Sequence, residues 1–374
     1  MTGLRFLLAG GGTSGHITPA LAIADQIRLD HPDAEIRFCG TERGLESILV
    51  PRAGYQLTTI RASGLPNKPS PALFRALADF WAGRRQCRRI LCEFQPNAVI
   101  GTGGYVCSPV IAAAVSLRIP VLLHEQNAFP GRSNRLMARK SQAVCISFPG
   151  TETRFPVGTP VFLTGNPVRG SYFSLTRDLA RSRLVEQGLV ITDKTNLILS
   201  MGGSLGSHTI NQAVVAFDPD LDFQSENGSN LLVVLAAGHR QYSDVAQQAA
   251  GKPWLDIREY IHDLDLLMAA ADLVISRSGA MTCAELAALG RPSILVPYPY
   301  AAGDHQTFNA RALADVGAAI LCPDSEMSAD YLNKMLPDLL HDSARLEEMG
   351  RAAATLARPD AAKAICQKLY EVMM

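Results

Sequence analysis

The sequence predicts an α/β protein built from two doubly wound, Rossmann-like domains with parallel sheets. Three observations predict it. Short apolar runs alternate with helical segments along most of the chain. A strand–glycine turn–helix pattern occurs twice, as "LRFLLAGGGTSGH" at 4–16 and "LILSMGGSLGSH" at 197–208. The chain has 374 residues, too long for one core and natural for two.

The apolar runs are residues 4–9, 35–39, 98–101, 121–124, 197–201, 231–236, 273–276 and 293–296. Most end at or next to a Gly, Ser or Pro, as strands buried on both faces do. The helical stretches between them predict βαβ units and hence parallel sheets. "GNPVRGSY" at 165–172 is rich in turn formers and marks a linker, with a first domain at 1–166 and a second at 167–357. Ligands in such sheets bind beyond the carboxyl ends of the strands, so two facing sheets would aim both glycine loops into one cleft.

Composition excludes several classes. Hydrophobic residues make up 47% and charged residues 19%, a core-forming balance and not a disordered one. Formal net charge is zero, so nothing global points to nucleic acid. The eight cysteines are scattered with no C-x-x-C pair, which argues against a disulfide framework or zinc site and for a reducing compartment. The apolar N-terminus runs straight into glycines as a first strand would, not as a signal peptide. No window reaches the roughly 18 apolar residues of a spanning helix, so any membrane contact would be at the surface.

The loops carry the chemistry. Gly10-x-Gly12-x-x-Gly15 matches the dinucleotide fingerprint formally, and its backbone N–H groups could approach a phosphate. A nicotinamide enzyme also wants an acid at the end of the second strand; Cys39-Gly40-Thr41 stands there and Glu42 comes late. His16 opens the following helix, where the positive end of the dipole disfavours imidazolium. It reads as a general base or as a structural ring bonded to the loop, and these residues leave both open. His124, Glu125, Gln126 and Asn127 stand at a strand's carboxyl end, followed by Ser133 or Asn134 as a helix cap. Ser278 and Gly279 lie at a second helix N-terminus suited to an anion, and Glu285 in that helix could take ribose hydroxyls or simply complement the dipole. Asp304, His305, Gln306 and Asn309 line one more loop, with Asp304 a candidate N-cap.

Residues 70–91, "SPALFRALADFWAGRRQCRRIL", place Leu73, Phe74, Leu77, Phe80 and Trp81 at helical spacing, followed by Arg84, Arg85, Arg88 and Arg89. An aromatic and basic helix of this kind can lie in the headgroup region of an anionic bilayer, although a core-packing helix with a basic end is the commoner case.

Taken in order, GGGTSGH (10–16), GGY (103–105), HEQN (124–127), GNPVR (165–169), GGSLG (202–206), SRSGAMTCAEL (276–286) and DHQTFNA (304–310) resemble the MurG family over nearly the whole chain. That family adds N-acetylglucosamine to the lipid-linked muramyl-peptide precursor of peptidoglycan. The resemblance implies a GT-B fold with its active site in the cleft and a last helix, about 358–374, crossing back onto the first domain. It implies an inverting, β-1,4-forming transfer from UDP-N-acetylglucosamine to lipid I, with no cofactor, at the cytoplasmic face of the inner membrane. The anionic membrane surface and other cell-wall synthesis or division proteins are the implied partners.

By the same resemblance, Arg169 and Ser204 lie near the nucleotide or diphosphate, and Ile261 meets uracil through its backbone. Ala280, Met281, Thr282 and Glu285 wrap the diphosphate and ribose, and Gln306 holds sugar hydroxyls. Thr13, Ser14, Gly15 and Asn127 face the sugar and the acceptor diphosphate. His16 matches the proposed base, with Glu125 the second choice, and Tyr105, His124 and Asn134 support them. Two departures stand out: Ser14 replaces a usual Gly, and Leu205 a usual Gln. No acidic D-x-D cluster appears where a diphosphate-bound metal would want one. A UDP-N-acetylglucosamine 2-epimerase of the same fold, and a non-catalytic nucleotide-sugar binder at the membrane, are the alternatives. The aromatic and basic helix and the HEQN loop speak against the first, and intact His16, Glu125 and Glu285 against the second.

Overall fold

The computed structural model describes residues 3–64, 71–203, 206–219 and 230–374. It divides into two compact units, Met1–Val168 with Arg358–Met374, and Arg169–Ala357.

The first unit carries β1 (Arg5–Gly10), α1 (Ser14–Asp30), β2 (Glu35–Gly40), α2 (Glu46–Arg52), β3 (Gln56–Thr59), α3 (Pro71–Phe94), β4 (Ala98–Gly103), α4 (Cys107–Ser116), β5 (Val121–Glu125), α5 (Arg132–Met137), β6 (Ala143–Ile146) and β7 (Val161–Leu163). Its strands form one parallel sheet in the order β3-β2-β1-β4-β5-β6-β7. β1 shows why the sequence reads as an unbroken apolar run. Phe6 and Leu8 enter one core with α1, while Leu7 and Ala9 enter the opposite core with α3 and α4. Burying each large side chain stabilises by about 1.5–3 kcal/mol. Helix-propensity differences of a few tenths of a kcal/mol per residue cannot compete.

The second unit continues with α6 (Ser171–Ser174), α7 (Arg177–Glu186), β8 (Thr195–Met201), α8 (His208–Ala216), β9 (Asn230–Ala236), α9 (Tyr242–Gln248), β10 (Leu255–Arg258), α10 (Leu264–Ala270), β11 (Leu273–Ser276), α11 (Ala280–Leu289), β12 (Ser293–Leu295), α12 (His305–Ala314), β13 (Ala319–Leu321), α13 (Ala329–His341) and α14 (Ser343–Thr355). Its parallel sheet runs β10-β9-β8-β11-β12-β13. The two glycine turns found in sequence therefore follow the equivalent strand of each sheet, β1 and β8. In each, the chain reverses its winding next to that strand, between β1 and β4 and between β8 and β11, which is where doubly wound sheets place ligands.

The last helix, α15 (Ala361–Glu371), belongs to the first unit. Ile365, Cys366 and Leu369 are fully buried in the core that holds Phe6 and Leu8, and the Tyr370 hydroxyl donates to Asp30 at 2.9 Å. Seven of the eight cysteines are buried as free thiols, and Cys92 is exposed.

Five strands were not among the apolar runs of the sequence: β3, β6, β7, β10 and β13. Four of them lie at sheet edges. They are short, and β3, β7 and β10 contain no fully buried residue.

Candidate active site

β1 ends at Gly10, and the chain turns through Gly11 and Gly12 into α1. Gly12 has φ +86°, and a Cβ on it would stand 2.9 Å from the Tyr105 ring. The turn requires glycine for both reasons. Thr13 is the N-cap of α1 without a side-chain cap bond; its hydroxyl lies 3.1 Å from His16 Nδ1. Ser14 is the first helical residue, so the side chain that replaces the family's glycine sits on ordinary helical backbone. Gly15 follows in the same turn.

His16 is half-buried, with Nδ1 3.2 Å from the Gly11 carbonyl oxygen. A carbonyl only accepts, so this contact is a hydrogen bond in the Nδ1–H tautomer, which puts the basic lone pair on Nε2. The ring packs against the end of β4: a Cβ on Gly103 would stand 2.7 Å from its Cδ2. Thus His16 occupies the winding reversal of the first sheet. Tyr105 reaches the same place, its hydroxyl 3.4 Å from Thr41 Oγ1.

The HEQN loop departs from expectation. His124 is fully buried, its Nε2 donating to the Gly165 carbonyl at 3.1 Å and its Nδ1 accepting from the Gln126 amide at 2.9 Å. Burial drives its pKa down to about 4, so the ring is neutral and structural. Glu125 is 1% exposed. One carboxylate oxygen accepts from Asn127 N and Nδ2, the other from Gly131 N and Asn134 Nδ2, at 2.9–3.2 Å. Burial pushes its carboxyl up, and these donors pull it back without cancelling the rise. Four donors thus converge on Glu125, the second candidate base, and it shapes the loop that carries Asn127. Asn134 does not cap a helix either. Gly131 is the N-cap of α5, Asn134 is buried within it, and Ser133 bonds Ser108.

In the second unit, β11 leads through Arg277 and Ser278 into α11. Gly279 caps α11 with no side-chain bond, leaving the first N–H groups pointing out of the helix. Ala280 and Met281 are buried and Thr282 half-buried. Ser278 Oγ donates to the Gln306 carbonyl at 2.8 Å, and Asn309 Nδ2 to the Ser278 carbonyl at 3.1 Å, so the α11 and α12 starts are tied together. Gln306 Oε1 accepts from Tyr298 N at 2.9 Å, which leaves its amide nitrogen as the donor end. Asp304 is not a side-chain cap: it has φ +55° and accepts from Thr307 Oγ1.

Glu285 is buried, and burial raises its pKa to about 8 against the pull of a hydrogen bond from Tyr172 and the charge of Arg169; Asp265 adds to the rise. Tyr172 comes from α6, three residues after Arg169, so the linker delivers both side chains to this carboxyl. Arg169 is exposed and Ile261 is buried. Ser204, with the departure at Leu205, lies outside the described residues. Tyr172 gave no sequence signal, being one aromatic in a turn-rich stretch. Among the described residues no three His, Cys, Asp or Glu side chains gather as ligands for a metal ion.

α3 turns its two faces to different surroundings. Ala76, Gly83, Cys87, Leu91 and Phe94 are buried, while Phe74, Leu77 and Trp81 are exposed at 77%, 43% and 60%. Leu73 and Phe80 are half-buried beside them. The Arg84 guanidinium stacks 5.3 Å from the Trp81 ring. Beyond it, Arg61, Ala82, Arg85, Gln86 and Arg89 line a cavity of about 320 Å³. No helix among the described residues is long and apolar enough to cross a membrane.

Residues 6–146 match the glycosyltransferase family 28 N-terminal domain and residues 197–365 its C-terminal domain. A relative from Acetivibrio thermocellus, named UDP-N-acetylglucosamine--N-acetylmuramyl-(pentapeptide) pyrophosphoryl-undecaprenol N-acetylglucosamine transferase, is 38% identical over 372 residues, covering 99% of this chain and 98% of the relative. The chain belongs to the MurG family. The crystal structure of Acinetobacter baumannii MurG superposes with a TM-score of 0.73 at 30% identity, covering 99% of both chains. The UDP-GlcNAc 2-epimerase of Neisseria meningitidis, solved with UDP-GlcNAc, superposes at 0.68 but with 15% identity, covering 98% of this chain and all of that one. That likeness is one of fold alone, the GT-B fold that MurG-family enzymes share with it.

Proposed function

We propose that the chain transfers N-acetylglucosamine from UDP-N-acetylglucosamine to the C4 hydroxyl of lipid I, the undecaprenyl-diphosphate-linked MurNAc-pentapeptide, giving lipid II. The observation that carries the chemistry is the His16 ring at the reversal of the first sheet, with Nδ1 committed to a carbonyl and the lone pair on Nε2.

Nε2 accepts the C4 hydroxyl proton as the oxygen attacks the anomeric carbon. The bond to UDP breaks with its electron pair leaving on the diphosphate, and one in-line displacement converts the α-linked donor into a β-1,4 product. A positioned base supplies about 10²–10⁴-fold. The N–H groups at the start of α11 receive the growing diphosphate charge, the role assigned to Ala280, Met281 and Thr282. Glu285, oriented by Tyr172, takes the ribose, the Ile261 backbone the uracil, the Gln306 amide the sugar hydroxyls, and Arg169 the nucleotide phosphates. In the first unit Thr13, Ser14, Gly15 and Asn127 meet the acceptor, with Tyr105 packed against their loop.

The lipid-linked acceptor calls for a membrane surface, and α3 fits it. Phe74, Leu77 and Trp81 enter the headgroup region while Arg84, Arg85 and the cavity lined by Arg61 and Arg89 meet lipid phosphates. The chain then lies peripherally on the cytoplasmic leaflet. Incubation with labelled UDP-N-acetylglucosamine and a lipid I analogue tests the reading: a β-1,4 disaccharide product supports it. Epimerised donor, or donor binding without turnover, would replace it with one of the two alternatives.

A further inference from the structure

The base is only as good as the carbonyl that fixes its tautomer, and that carbonyl is held from beneath by a residue so far without a role. Glu46, the first residue of α2, has no exposed surface although it carries a carboxylate. One oxygen accepts from Gly12 N at 3.0 Å; the other accepts from Thr41 N at 2.9 Å and Thr41 Oγ1 at 2.7 Å. The loops close directly over it: a Cβ on Gly11 would stand 2.7 Å from its Oε1, and one on Gly44 2.2 Å from its Oε2. Burial alone would raise this carboxyl, but the bonds from Gly12 and Thr41 outweigh it and hold the group below the ordinary range. It is therefore ionised where the enzyme works.

We propose that Glu46 is a positioning residue for the transfer: by gripping Gly12 N–H it holds the Gly11 carbonyl against His16 Nδ1, and so keeps the basic lone pair on Nε2. The route is short. Gly11 and Gly12 share one peptide unit, so the N–H that Glu46 accepts and the C=O that His16 meets belong to the same rigid plane. Moving one moves the other. Thr41 completes the anchor at the carboxyl end of β2, and its hydroxyl also lies 3.4 Å from Tyr105. No acid stands at the end of β2 to meet a ribose; Glu46, at the start of α2, is turned inward onto the protein's own loop. The inference rests on His16 acting as base.

Glu46→Gln tests it. The amide has one oxygen for three donors and offers an N–H where it should accept. Ring ¹⁵N spectra of His16, taken where the ring is neutral, should show one predominant Nδ1–H tautomer in the parent enzyme and a mixture in the variant. kcat should fall roughly tenfold to a hundredfold, the scale of a misplaced catalytic group, with KM for UDP-N-acetylglucosamine unchanged. Should Glu46→Gln not fold, Thr41→Val removes only the hydroxyl that holds Oε1 and should shift the tautomer ratio the same way. An unchanged ring spectrum in a folded variant overturns the inference, even if kcat falls. A changed spectrum with parental kcat overturns it too. Failure of the base reading is separate: His16→Ala would then keep its turnover whatever Glu46 does.

Discussion

A side chain on Gly103 would occupy the space of the His16 ring: its Cβ would stand 2.7 Å from Cδ2 and 3.0 Å from Nε2, on backbone at φ +113°. Gly103→Ala should displace the ring and strain the turn at once. The left-handed backbone alone costs about 1–3 kcal/mol. Thermal unfolding should show a lowered Tm, and transfer should fall further than that loss of stability accounts for, with UDP binding retained.

His16→Ala tests the base role with a change confined to the first unit. kcat should drop about 10²–10⁴-fold, while calorimetric titration with UDP returns the parental affinity. Lost UDP binding with unchanged turnover at saturating donor would assign the ring to the donor and not to the proton.

Assigning Glu285 to the donor ribose predicts that donor binding varies with pH. Its pKa in the fold is about 8 against an ordinary 4.5. A raised carboxyl stabilises the fold below the ordinary value, and that contribution is lost as pH rises through about 8. Glu285→Gln, which cannot ionise, should flatten the fall of Tm between these two values. If ribose hydroxyls donate to the carboxylate, UDP affinity in the parent should rise through the same window as the group ionises, and in Glu285→Gln it should not.

The outer stripe of α3 gives a membrane test. Phe74→Ser with Trp81→Ser should weaken sedimentation with vesicles of anionic lipid while leaving the circular dichroism spectrum unchanged, since both rings are exposed. Raised salt should weaken parental binding through the arginines. Equal binding by the double variant would move the membrane contact elsewhere.

Leaving-group stabilisation by the α11 N–H groups requires no metal ligand from the protein. Turnover should survive treatment with a chelator, and a chelator-induced loss restored by a divalent cation would place the diphosphate charge on a metal instead.

Much of this was legible in the sequence, for a physical reason. Central parallel strands are buried on both faces, so β1, β4, β8 and β11 are written as apolar runs, and the glycine turns after β1 and β8 are local signals. Edge strands lack that signature: β3 reads Gln56–Thr59 and is partly exposed on every residue. Polar residues in the loops were visible but their directions were not. Glu125 and His124 stand next to Asn127 in the chain, yet the pleat and the turn carry them into the interior. Glu46 and Tyr172 owe their importance to contacts with residues 34 and 113 positions away, which no local window contains.

The chain leaves the first unit at Val168 and rejoins it at Arg358, so the second unit is an insertion within the first. Ile365, Cys366 and Leu369 complete the core that holds Phe6 and Leu8, so that core joins the two ends of the sequence. A truncation ahead of Ile365 should therefore injure the body that holds His16 and leave the core of Arg169–Ala357 intact.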